Sequence, residues 1–469
     1  MITTVFGLSA ALVCAAGASA QLSAGADIVY SDMTDVATYG PLNGKYAYAL
    51  GSATCNIGDA NAEWNLTGFN GSPGLAMNLY RIKDGRFMQI GMSFVKHSCC
   101  AGAAPGCAGN NGQTVSCNGQ GGTQLGSGCR DLYSGGINGS QGGLGARSNI
   151  NPWTGVFNPR STGTGDVLFR RLQVDQNDVN AAMNPGAVYV GEGVFVSTRD
   201  AQASNRNNNA SHKRIAVAAN GATLTPTGSQ VQGVPAIRAW RDHGLGVNTP
   251  DPSVNVAFID VPGEGRFWYA SKAKDNGNGT WRYEYAVFNL SSHISGGSLE
   301  VPVPPGVTVS NVGFYAPAYH SGEVYSNAPW TTVRTATGVR FASPETFAQN
   351  ANTNALRWGT TYNFWFDAAT APAATPLPAA LGLFRPSTPS SIDLLMAAPG
   401  APACDSIDVN GDGQLPDIAD IDYFIAVFAG GPCSPPPASC DVDFNNDTLT
   451  PDTLDIESLL SVFSGGPCL

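Results

Sequence analysis

Charged residues are scarce in this chain, and the basic ones are unevenly placed. Asp, Glu, Lys and Arg make up 13% of its 469 residues, with 24 basic side chains against 35 acidic ones. Residues 404–469 contain no Lys or Arg, although 12 of the acidic residues lie there. The clustered basic surface that nucleic-acid binding requires is therefore absent. The C-terminal segment is instead suited to cations.

Long apolar runs and familiar catalytic motifs are also lacking. After residue 20, no segment approaches the roughly 18 consecutive apolar residues of a membrane-spanning helix. The chain contains no G-x-S-x-G elbow, no H-E-x-x-H pair and no phosphate-binding Walker loop. Its 5 histidines show no metal-ligand spacing. The sequence motifs therefore do not identify a reaction.

Cysteine is absent from residues 130–403, and this gap divides the cysteines into two groups. Both groups are even in number once Cys14 is set aside. Even-numbered groups in an exported chain predict two separate disulfide frameworks, whose connectivity the sequence leaves open. A soft-metal site at His97, Cys99 and Cys100 is the alternative interpretation, which the even count disfavours. The groups are Cys55, Cys99, Cys100, Cys107, Cys117 and Cys129, and Cys404, Cys433, Cys440 and Cys468.

The first 20 residues have the pattern of a secretory signal peptide. An apolar stretch at residues 5–16 is followed by small residues at 18–20, and cleavage is predicted near Gln21. Cys14 raises the alternative of a lipoprotein signal, although the bulky Val13 before it does not suit such a site. We therefore expect a secreted protein, extracellular or held at the cell surface.

Residues 21–250 are predicted to be β-rich, with long polar connections. β-branched and aromatic runs at residues 77–95 flank a turn at residues 83–86, which is typical of a hairpin. The glycine-rich residues 101–149 hold three of the cysteines. Disulfides would explain how a loop of that length is ordered.

Residues 251–385 give the strongest strand patterns. Residues 281–288 alternate strictly, with aromatic residues on one face and Glu284 on the other. Residues 298–304 and 361–368 alternate in the same way, and turn sequences separate the three segments. This spacing predicts an antiparallel β-sandwich. The following residues 386–403, rich in Ala, Pro and Ser, are predicted to be a linker.

The remaining C-terminal residues repeat themselves at a spacing of 35 residues. DVNGDGQLPDIADID at 408–422 aligns with DFNNDTLTPDTLDIE at 443–457, and FAGGPC at 428–433 aligns with FSGGPC at 463–468. Apolar residues follow each acidic segment at the spacing of an amphipathic helix, and Gly-Gly suits the end of each helix. The apolar residues are Ile421, Phe424, Ile425 and Phe428, and Ile456, Leu459, Leu460 and Phe463.

Each acidic segment has the oxygen-bearing residues of a calcium loop. Ca²⁺ takes six to eight oxygens from carboxylates, amides, backbone carbonyls and water. Ala419 stands at the twelfth position, where an acid should close the loop. One inserted residue near Leu415 makes Asp420 the closing carboxylate instead. The predicted ligands are Asp408, Asn410, Asp412, Gln414 through its carbonyl, and Asp420 in the first loop, and Asp443, Asn445, Asp447, Leu449 and Asp455 in the second.

The two loops differ at the position of the sharp turn. Gly413 permits a positive φ in the first loop, whereas Thr448 takes its place in the second. A β-branched residue is strained in that conformation. We therefore expect the second calcium site to be the weaker one.

This tail resembles the dockerin domain, which consists of two EF-hand-like loop–helix units. Its paired Gly-Gly-Pro-Cys ends are similar to those of the GC-type dockerin variant found at the C-termini of secreted bacterial proteins. The resemblance covers residues 404–469. It implies a small α-helical, calcium-binding module and a cohesin-like or cell-surface anchoring protein as partner. The inserted loop residue, Thr448 and the cysteines depart from the family pattern.

The N-terminal region resembles a set of exported bacterial proteins that carry such tails. The motifs are YRIKDGRFMQIGMSFVKH at residues 80–97, NNNASHKR at 207–214 and ALRWGTTYNFWFDA at 355–368. This resemblance implies no activity, and the catalytic residues are unknown.

Two glutamates are candidate catalytic carboxylates. Glu264 and Glu284 lie near aromatic residues, as the carboxylates of glycoside hydrolases do. A strand charge pair between Arg282 and Glu284 is the commoner arrangement. The aromatic residues of 267–288 suit either a platform for stacking polysaccharide or the core of a sandwich.

Two functional hypotheses follow. In the first, the calcium-binding tail anchors an exported protein to a partner or a cell-surface assembly, and the N-terminal region is a binding or structural module. The alternative is a secreted polysaccharide-degrading enzyme, similar to a glycoside hydrolase, carried on a dockerin. The first hypothesis favours a protein without catalytic activity. Neither hypothesis identifies the ligand of residues 21–400.

Overall fold

The computed structural model describes residues 21–65, 73–97, 99–157, 163–401, 404–414, 416–434, 438–446, 451–466 and 468. The predicted signal peptide lies outside these residues. The described chain is mainly β-structure with several antiparallel sheets, which confirms the predicted β-rich class. None of the helices in this part has the length and apolar character that a membrane crossing requires.

Fourteen strands lie in the first 250 residues of the described chain. Four short α-helices accompany them, besides several single turns of 3-10 helix: α1 (Gly135–Asn138), α2 (Gln176–Val179), α3 (Thr198–Gln202) and α4 (Ala239–His243). The strands are β1 (Ile28–Leu42), β2 (Lys45–Asn56), β3 (Ala62–Glu63), β4 (Gly74–Lys83), β5 (Arg86–His97), β6 (Gln124–Leu125), β7 (Arg130–Tyr133), β8 (Leu144–Gly145), β9 (Ile150–Asn151), β10 (Val156–Phe157), β11 (Leu172–Asp175), β12 (Val188–Val196), β13 (Ala210–Val217) and β14 (Leu224–Val231).

Most of these strands form one antiparallel sheet that curls back on itself. Its order is β1-β2-β11-β5-β4-β12-β13-β14, with β7 beside β2 and β8 beside β5. The first and last strands lie against each other. There Lys213 pairs with Asp32 at 2.8 Å, and the Met33 amide donates to Gln230 at 3.0 Å. The curled sheet encloses an apolar core that includes Tyr30, Leu50, Met77, Leu79, Val174 and Ile215.

The hairpin predicted at residues 77–95 is confirmed. Strands β4 and β5 pair in a register that places Lys83 opposite Arg86. The two loop residues, Asp84 and Gly85, have φ values of 53° and 81°. Positive φ at both positions is the requirement of a type I′ turn, which Asp-Gly satisfies best. The turn sequence therefore fixes this register.

Ten further strands form two five-stranded antiparallel sheets packed face to face. The orders are β15-β16-β17-β22-β19 and β20-β21-β18-β23-β24. This arrangement is the predicted β-sandwich. The strands are β15 (Asn255–Asp260), β16 (Arg266–Asp275), β17 (Trp281–Asn289), β18 (Gly296–Pro302), β19 (Val309–Tyr315), β20 (Thr331–Arg334), β21 (Gly338–Ala342), β22 (Thr361–Ala368), β23 (Leu377–Leu383) and β24 (Ser391–Met396).

Strand β17 is buried on both faces. Tyr283 and Tyr285 point into the sandwich core, as the alternation predicts. Ala286 and Phe288, on the opposite face, belong to a second core shared with the curled sheet. The alternation of residues therefore predicted the two faces of β17 correctly. It did not predict that both faces are buried.

The curled sheet and the sandwich join through that second core without an intervening linker. Tyr80 and Trp240 from the N-terminal region pack with Phe288 there. Buried hydrogen bonds also cross the junction: the Thr361 amide donates to Gln89 at 2.7 Å, and Asn363 donates to the carbonyl of Phe87 at 2.6 Å. Residues 21–401 are thus a continuous body over the described part of this range.

The predicted linker at residues 386–403 needs correction. Residues Ser391–Met396 form β24, which pairs with β23 at the edge of the second sheet. Ile392, Leu394 and Met396 are buried in the sandwich core, and the residues between them are exposed. Proline and serine around this strand hid a period-two pattern of only three apolar positions.

The cysteines pair within the two predicted groups and not between them. The pairs are Cys55–Cys107, Cys99–Cys100, Cys117–Cys129, Cys404–Cys468 and Cys433–Cys440. Two separate frameworks are therefore present. The first holds the glycine-rich connection of residues 101–149 against β2, and the second closes the C-terminal segment.

Candidate functional site

The first acidic loop of the tail is built from turns in which side chains accept hydrogen bonds from the loop backbone. The carboxylate of Asp408 accepts from the amides of Asp412 and Gly413, both at 3.0 Å. Asn410 accepts from the Asp412 amide at 2.9 Å, and Asp412 accepts from the Gln414 amide at 2.8 Å. These bonds fold residues 408–414 into consecutive tight turns.

Asp420, the predicted closing carboxylate, lies at the start of the helix that follows this loop. Asp420 is fully buried, whereas Ala419 is exposed. One oxygen of Asp420 accepts from the Asn410 amide at 3.3 Å, and the other accepts from the Asp417 amide at 3.2 Å. The first bond joins the end of the loop to its beginning. The second completes a capping box at the start of helix α5 (Ile418–Phe428).

The second unit repeats this arrangement. Asp455 is fully buried and accepts from the Asn445 amide at 3.4 Å and from the Asp452 amide at 2.9 Å, at the start of helix α6 (Thr453–Phe463). Burial raises the pKa of Asp455, and the nearby Asp443 and Asp452 raise it further. The predicted ligands Asp447 and Leu449, together with Thr448, lie outside the described residues.

Each helix buries one residue of its stripe at the centre of the core, and Phe428 and Ile456 pack against that centre while only partly buried. Phe424 and Leu459, at equivalent positions, are buried with Val409 and Phe444. Ile425 and Leu460, also equivalent and predicted to belong to the apolar stripes, are 47% and 45% exposed. Sequence periodicity overestimated the width of the buried face.

The ends of both helices follow the prediction. Gly430 and Gly465 adopt φ values of 83° and 79° just after the helices end. The next amides, of Gly431 and Gly466, donate back to Ala426 and Ser461. Only glycine adopts this conformation without strain, which explains the repeated Gly-Gly.

The donor set of the loops suits Ca²⁺ in kind, because it consists of carboxylate, amide and carbonyl oxygens. Asp420 and Asp455 are buried carboxylates in a segment without basic residues. Within the described residues, however, no three His, Cys, Asp or Glu side chains converge closely enough to hold a metal. The first loop therefore supplies the right atoms on a preformed backbone, but not a closed set of carboxylates.

Glu284 lies at the junction of the curled sheet and the sandwich. Its carboxylate receives two hydrogen bonds of 2.6 Å from Arg86, and Arg282 lies 3.6 Å away. The Arg86 guanidinium stacks 3.8 Å from the centre of the Trp365 ring. A cavity of ≈ 310 Å³ opens beside these residues, with Arg81 also on its wall. Glu284 is thus held in a charge pair that ties the two parts of the body together.

Glu264 lies in the turn before β16 and is held by four donors. One oxygen accepts from the amides of His293 and Ile294 at 2.5 and 2.9 Å. The other accepts from the Ser292 hydroxyl at 2.6 Å and from the Gly265 amide at 2.8 Å. This carboxylate therefore fixes the loop that follows β17.

The structure does not bring Glu264 and Glu284 together. Glu284 pairs with Lys272, six residues along β16 from Arg266, and Glu264 lies beyond that end of the strand. At about 3.3 Å per residue the two are roughly 20 Å apart. Catalytic carboxylates of glycosidases are about 5–10 Å apart. The enzyme alternative therefore finds no facing pair in these two residues.

The remaining sequence candidates are accounted for by packing. Cys99 and Cys100 are bonded to each other, and His97 packs edge-on against Phe157, so no thiol of this pair is available to a soft metal. Most aromatic side chains of residues 267–288 lie in the body's cores rather than on a surface. These are Phe267, Tyr269, Tyr283, Tyr285 and Phe288.

Sequence reasoning missed a group of arginines around a small cavity. Arg147, Arg357 and Arg385 come from segments far apart in the chain and meet beside His293. No local pattern signals such a meeting, because it depends on how the curled sheet docks on the sandwich.

Comparison with known proteins adds no family to this chain. No protein-family model matches it, and no curated protein matches it.

Proposed function

We propose that residues 404–469 form a dockerin-like module that binds Ca²⁺ and attaches an exported protein to a cohesin-like or cell-surface partner. The observation that carries the proposal is the duplication of one arrangement. In each unit, a buried aspartate at the first turn of a helix accepts a hydrogen bond from the loop before it. A solvated acidic tail would have no reason to bury Asp420 and Asp455 at equivalent positions.

In the first unit Asp408, Asn410, Asp412 and Asp420 would supply side-chain oxygens, and Gln414 its carbonyl. Bound Ca²⁺ would neutralise the mutual repulsion of the carboxylates. Hydrogen bonds to the side chains of Asp408 and Asn410 already hold the loop backbone in its turns. Binding of the ion would therefore need little change in backbone conformation. Asp420 would couple the ion to helix α5, because it belongs to both the loop and the capping box.

Calcium would act on the module through folding. Its core has few members, and the central ones are Val409, Phe424, Phe444 and Leu459. So small a core supplies little stability on its own. Ligand binding to the folded form alone stabilises it by mass action, so the helices should be more stable with Ca²⁺. The disulfides Cys404–Cys468 and Cys433–Cys440 would limit unfolding without the ion.

The test measures Ca²⁺ binding and helicity on the same sample. Isothermal titration calorimetry of the full chain should show saturable Ca²⁺ binding, and EDTA should lower the unfolding temperature of the tail. Circular dichroism of residues 404–469, with disulfides intact and after reduction, separates the effect of the ion from that of the cross-links. Absence of Ca²⁺ heat, together with helicity unchanged by EDTA after reduction, would refute the proposal.

Attachment is tested separately from calcium binding. The full chain should bind fragments of the producing cell's envelope in Ca²⁺ and be released by EDTA, whereas a chain ending at residue 401 should not bind. Equal retention of both chains would place attachment in the body rather than in the tail.

A further inference from the structure

A small cavity lies where the N-terminal region meets the loop after β17. Its walls include Arg147, His293, Tyr325, Arg357, Trp358 and Arg385. The cavity has a volume of ≈ 10 Å³, which is room for about one water-sized group. It is not fully enclosed, because His293, Tyr325 and Arg385 are only partly buried.

Arg357 is the central feature of this cavity. It is 3% exposed, and its guanidinium lies 4.3 Å from the Tyr325 ring and 4.6 Å from the Phe384 ring. Its Nη2 donates to the carbonyls of Ala351 and Thr353. Its Nε and Nη1 find no hydrogen-bond partner among the described residues. A buried charged donor loses its hydration and gains nothing in return when it is unsatisfied, so an acceptor is needed.

The other two arginines are not neutralised by ion pairs. Arg147 donates to carbonyls and to Asn78, and Arg385 donates to the carbonyl of His293 at 3.0 Å. Within the described chain, no carboxylate lies within 4.0 Å of the guanidinium groups of Arg147, Arg357 or Arg385. The guanidinium groups around the cavity therefore have no direct ion-pair partner among the described residues.

The carboxylates near the cavity accept hydrogen bonds from other groups. Glu264 is held by four donors of the His293 loop. Glu323 accepts from the backbone amides of Arg147 and Val324. Burial, together with Arg385 and Arg357, lowers the pKa of His293 to about 4, so its ring is neutral at pH 7. A neutral imidazole can donate one more hydrogen bond to a ligand.

We infer that this cavity is a binding site for one small anionic group, either a halide ion or the carboxylate end of a larger ligand. The free donors of Arg357 would contact the anion directly, and Arg385 and His293 would line its entrance. Water would satisfy the donors of Arg357 but would leave the positive charge of its guanidinium without a counter-charge within 4.0 Å. A cation is excluded by that same charge, and the volume does not hold a tetrahedral oxyanion such as phosphate.

The test uses the full chain at fixed Ca²⁺ and at constant ionic strength, with a bulky sulfonate as the background anion. Bromide, acetate and phosphate are each titrated while the unfolding temperature is measured. We expect a saturable rise with bromide or acetate and none with phosphate. Bromide without acetate identifies a free halide, and acetate identifies a carboxylate-bearing ligand. A bromide soak of crystals should give an anomalous peak beside Arg357.

Arg385→Gln provides the matched variant, because Arg385 lines the entrance and is partly exposed. Loss of one charge-assisted hydrogen bond should weaken anion binding roughly tenfold. Arg340→Gln, which removes an equivalent charge from a surface pair with Glu300, should leave binding unchanged. A response equal in wild type and Arg385→Gln, or no saturable response and no anomalous peak, overturns the inference. If Arg385→Gln fails to fold, the anomalous peak in wild type decides alone. The calcium proposal is unaffected by either result.

Discussion

Arg147 and Glu192, both fully buried and opposite in charge, are joined through one intervening side chain. Asn78 accepts from Nη2 of Arg147 at 2.8 Å and donates to Oε1 of Glu192 at 2.9 Å. Tyr80 and the amide of Ala236 complete the shell of Glu192 at 2.8 and 2.6 Å. The network lies where the curled sheet meets the sandwich, because Arg147 also donates to the carbonyl of Gly359 at 2.8 Å.

Glu192→Ala should destabilise the body strongly. The substitution removes an acceptor shared by three buried donors, Asn78, Tyr80 and the amide of Ala236, and removes the carboxylate that lies nearest Arg147 in this network. We expect a loss of at least about 3 kcal/mol in the free energy of unfolding, measured by urea denaturation. Asp242→Ala breaks the surface i,i+4 pair with Arg238 and should cost less than about 0.5 kcal/mol. Equal losses would show that the network contributes nothing specific.

The features predictable from the sequence are those set by local patterns. The hairpin at Asp84–Gly85, the strand Trp281–Asn289 and the two tail helices all follow from turn chemistry or periodicity. The closing role of Asp420 stays a prediction, and it agrees with the burial of Asp420 and Asp455 at equivalent helix starts. The signals for the hairpin, the strand and the helices each lie within about 20 residues, where sequence spacing determines geometry.

The features that were missed depend on contacts between distant segments. Gln89 accepts from Thr361, and Arg147 donates to Gly359, across a junction that no local pattern encodes. The burial of both faces of β17 has the same cause. Strand Ser391–Met396 was missed for a different reason, because its few apolar positions are set among Pro and Ser.

The stability of the body should depend on pH through Asp200. Burial raises the pKa of Asp200 to about 7, from an ordinary value of 3.8. Since the folded state binds the proton more tightly, the stabilisation is complete below about pH 4 and is lost as the pH rises to about 7. His212, His293 and His320 act in the opposite sense, because burial lowers their pKa values to about 4. The stability that these neutral histidines contribute is lost as the pH falls from about 6.5 to about 4.

The contribution of Asp200 is isolated by comparing Asp200→Asn with wild type at each pH. The variant should gain up to about 4 kcal/mol relative to wild type between pH 4 and pH 8, measured by urea denaturation. An asparagine is accommodated because Asn209, which donates to Asp200 at 2.9 Å, can turn its unpaired Oδ1 towards it. A difference that is constant with pH would contradict the assignment.

Glu284→Gln should act on stability. It weakens the contact in which Arg86 donates two hydrogen bonds to Glu284, and it removes the negative charge that faces Arg86. The side chains of Arg86 and Glu284 are 22% and 11% exposed, so this charge pair is largely buried. We expect a loss of about 3 kcal/mol in unfolding free energy. Glu300→Gln, in the more exposed pair with Arg340, should cost less than about 1 kcal/mol. If the tail-less body released reducing ends from a polysaccharide, and Glu284→Gln abolished that release without unfolding, the enzyme alternative would replace this interpretation.

Asp420→Asn should lower the affinity of the first calcium site, because it removes the buried closing carboxylate. Asp422→Asn removes the same charge from an exposed position two residues later in helix α5. Calorimetry should show at least a roughly tenfold weaker first site for Asp420→Asn, and little change for Asp422→Asn. If both variants bind Ca²⁺ with the same reduced affinity, the loss of net charge explains the reduction and Asp420 is not a ligand.

The inequality of the two calcium sites should follow from one backbone position. Gly413 has a φ of 79°, and no atom lies within 4 Å of the position that its Cβ would occupy. Gly413→Ala would therefore be disfavoured by the backbone conformation alone, at a cost of about 1 kcal/mol, and should weaken the tighter site roughly fivefold. Thr448→Gly should strengthen the weaker site, and together the two substitutions should invert their order in a two-site titration. Two sites of equal affinity in wild type would show that Thr448 does not weaken the second site.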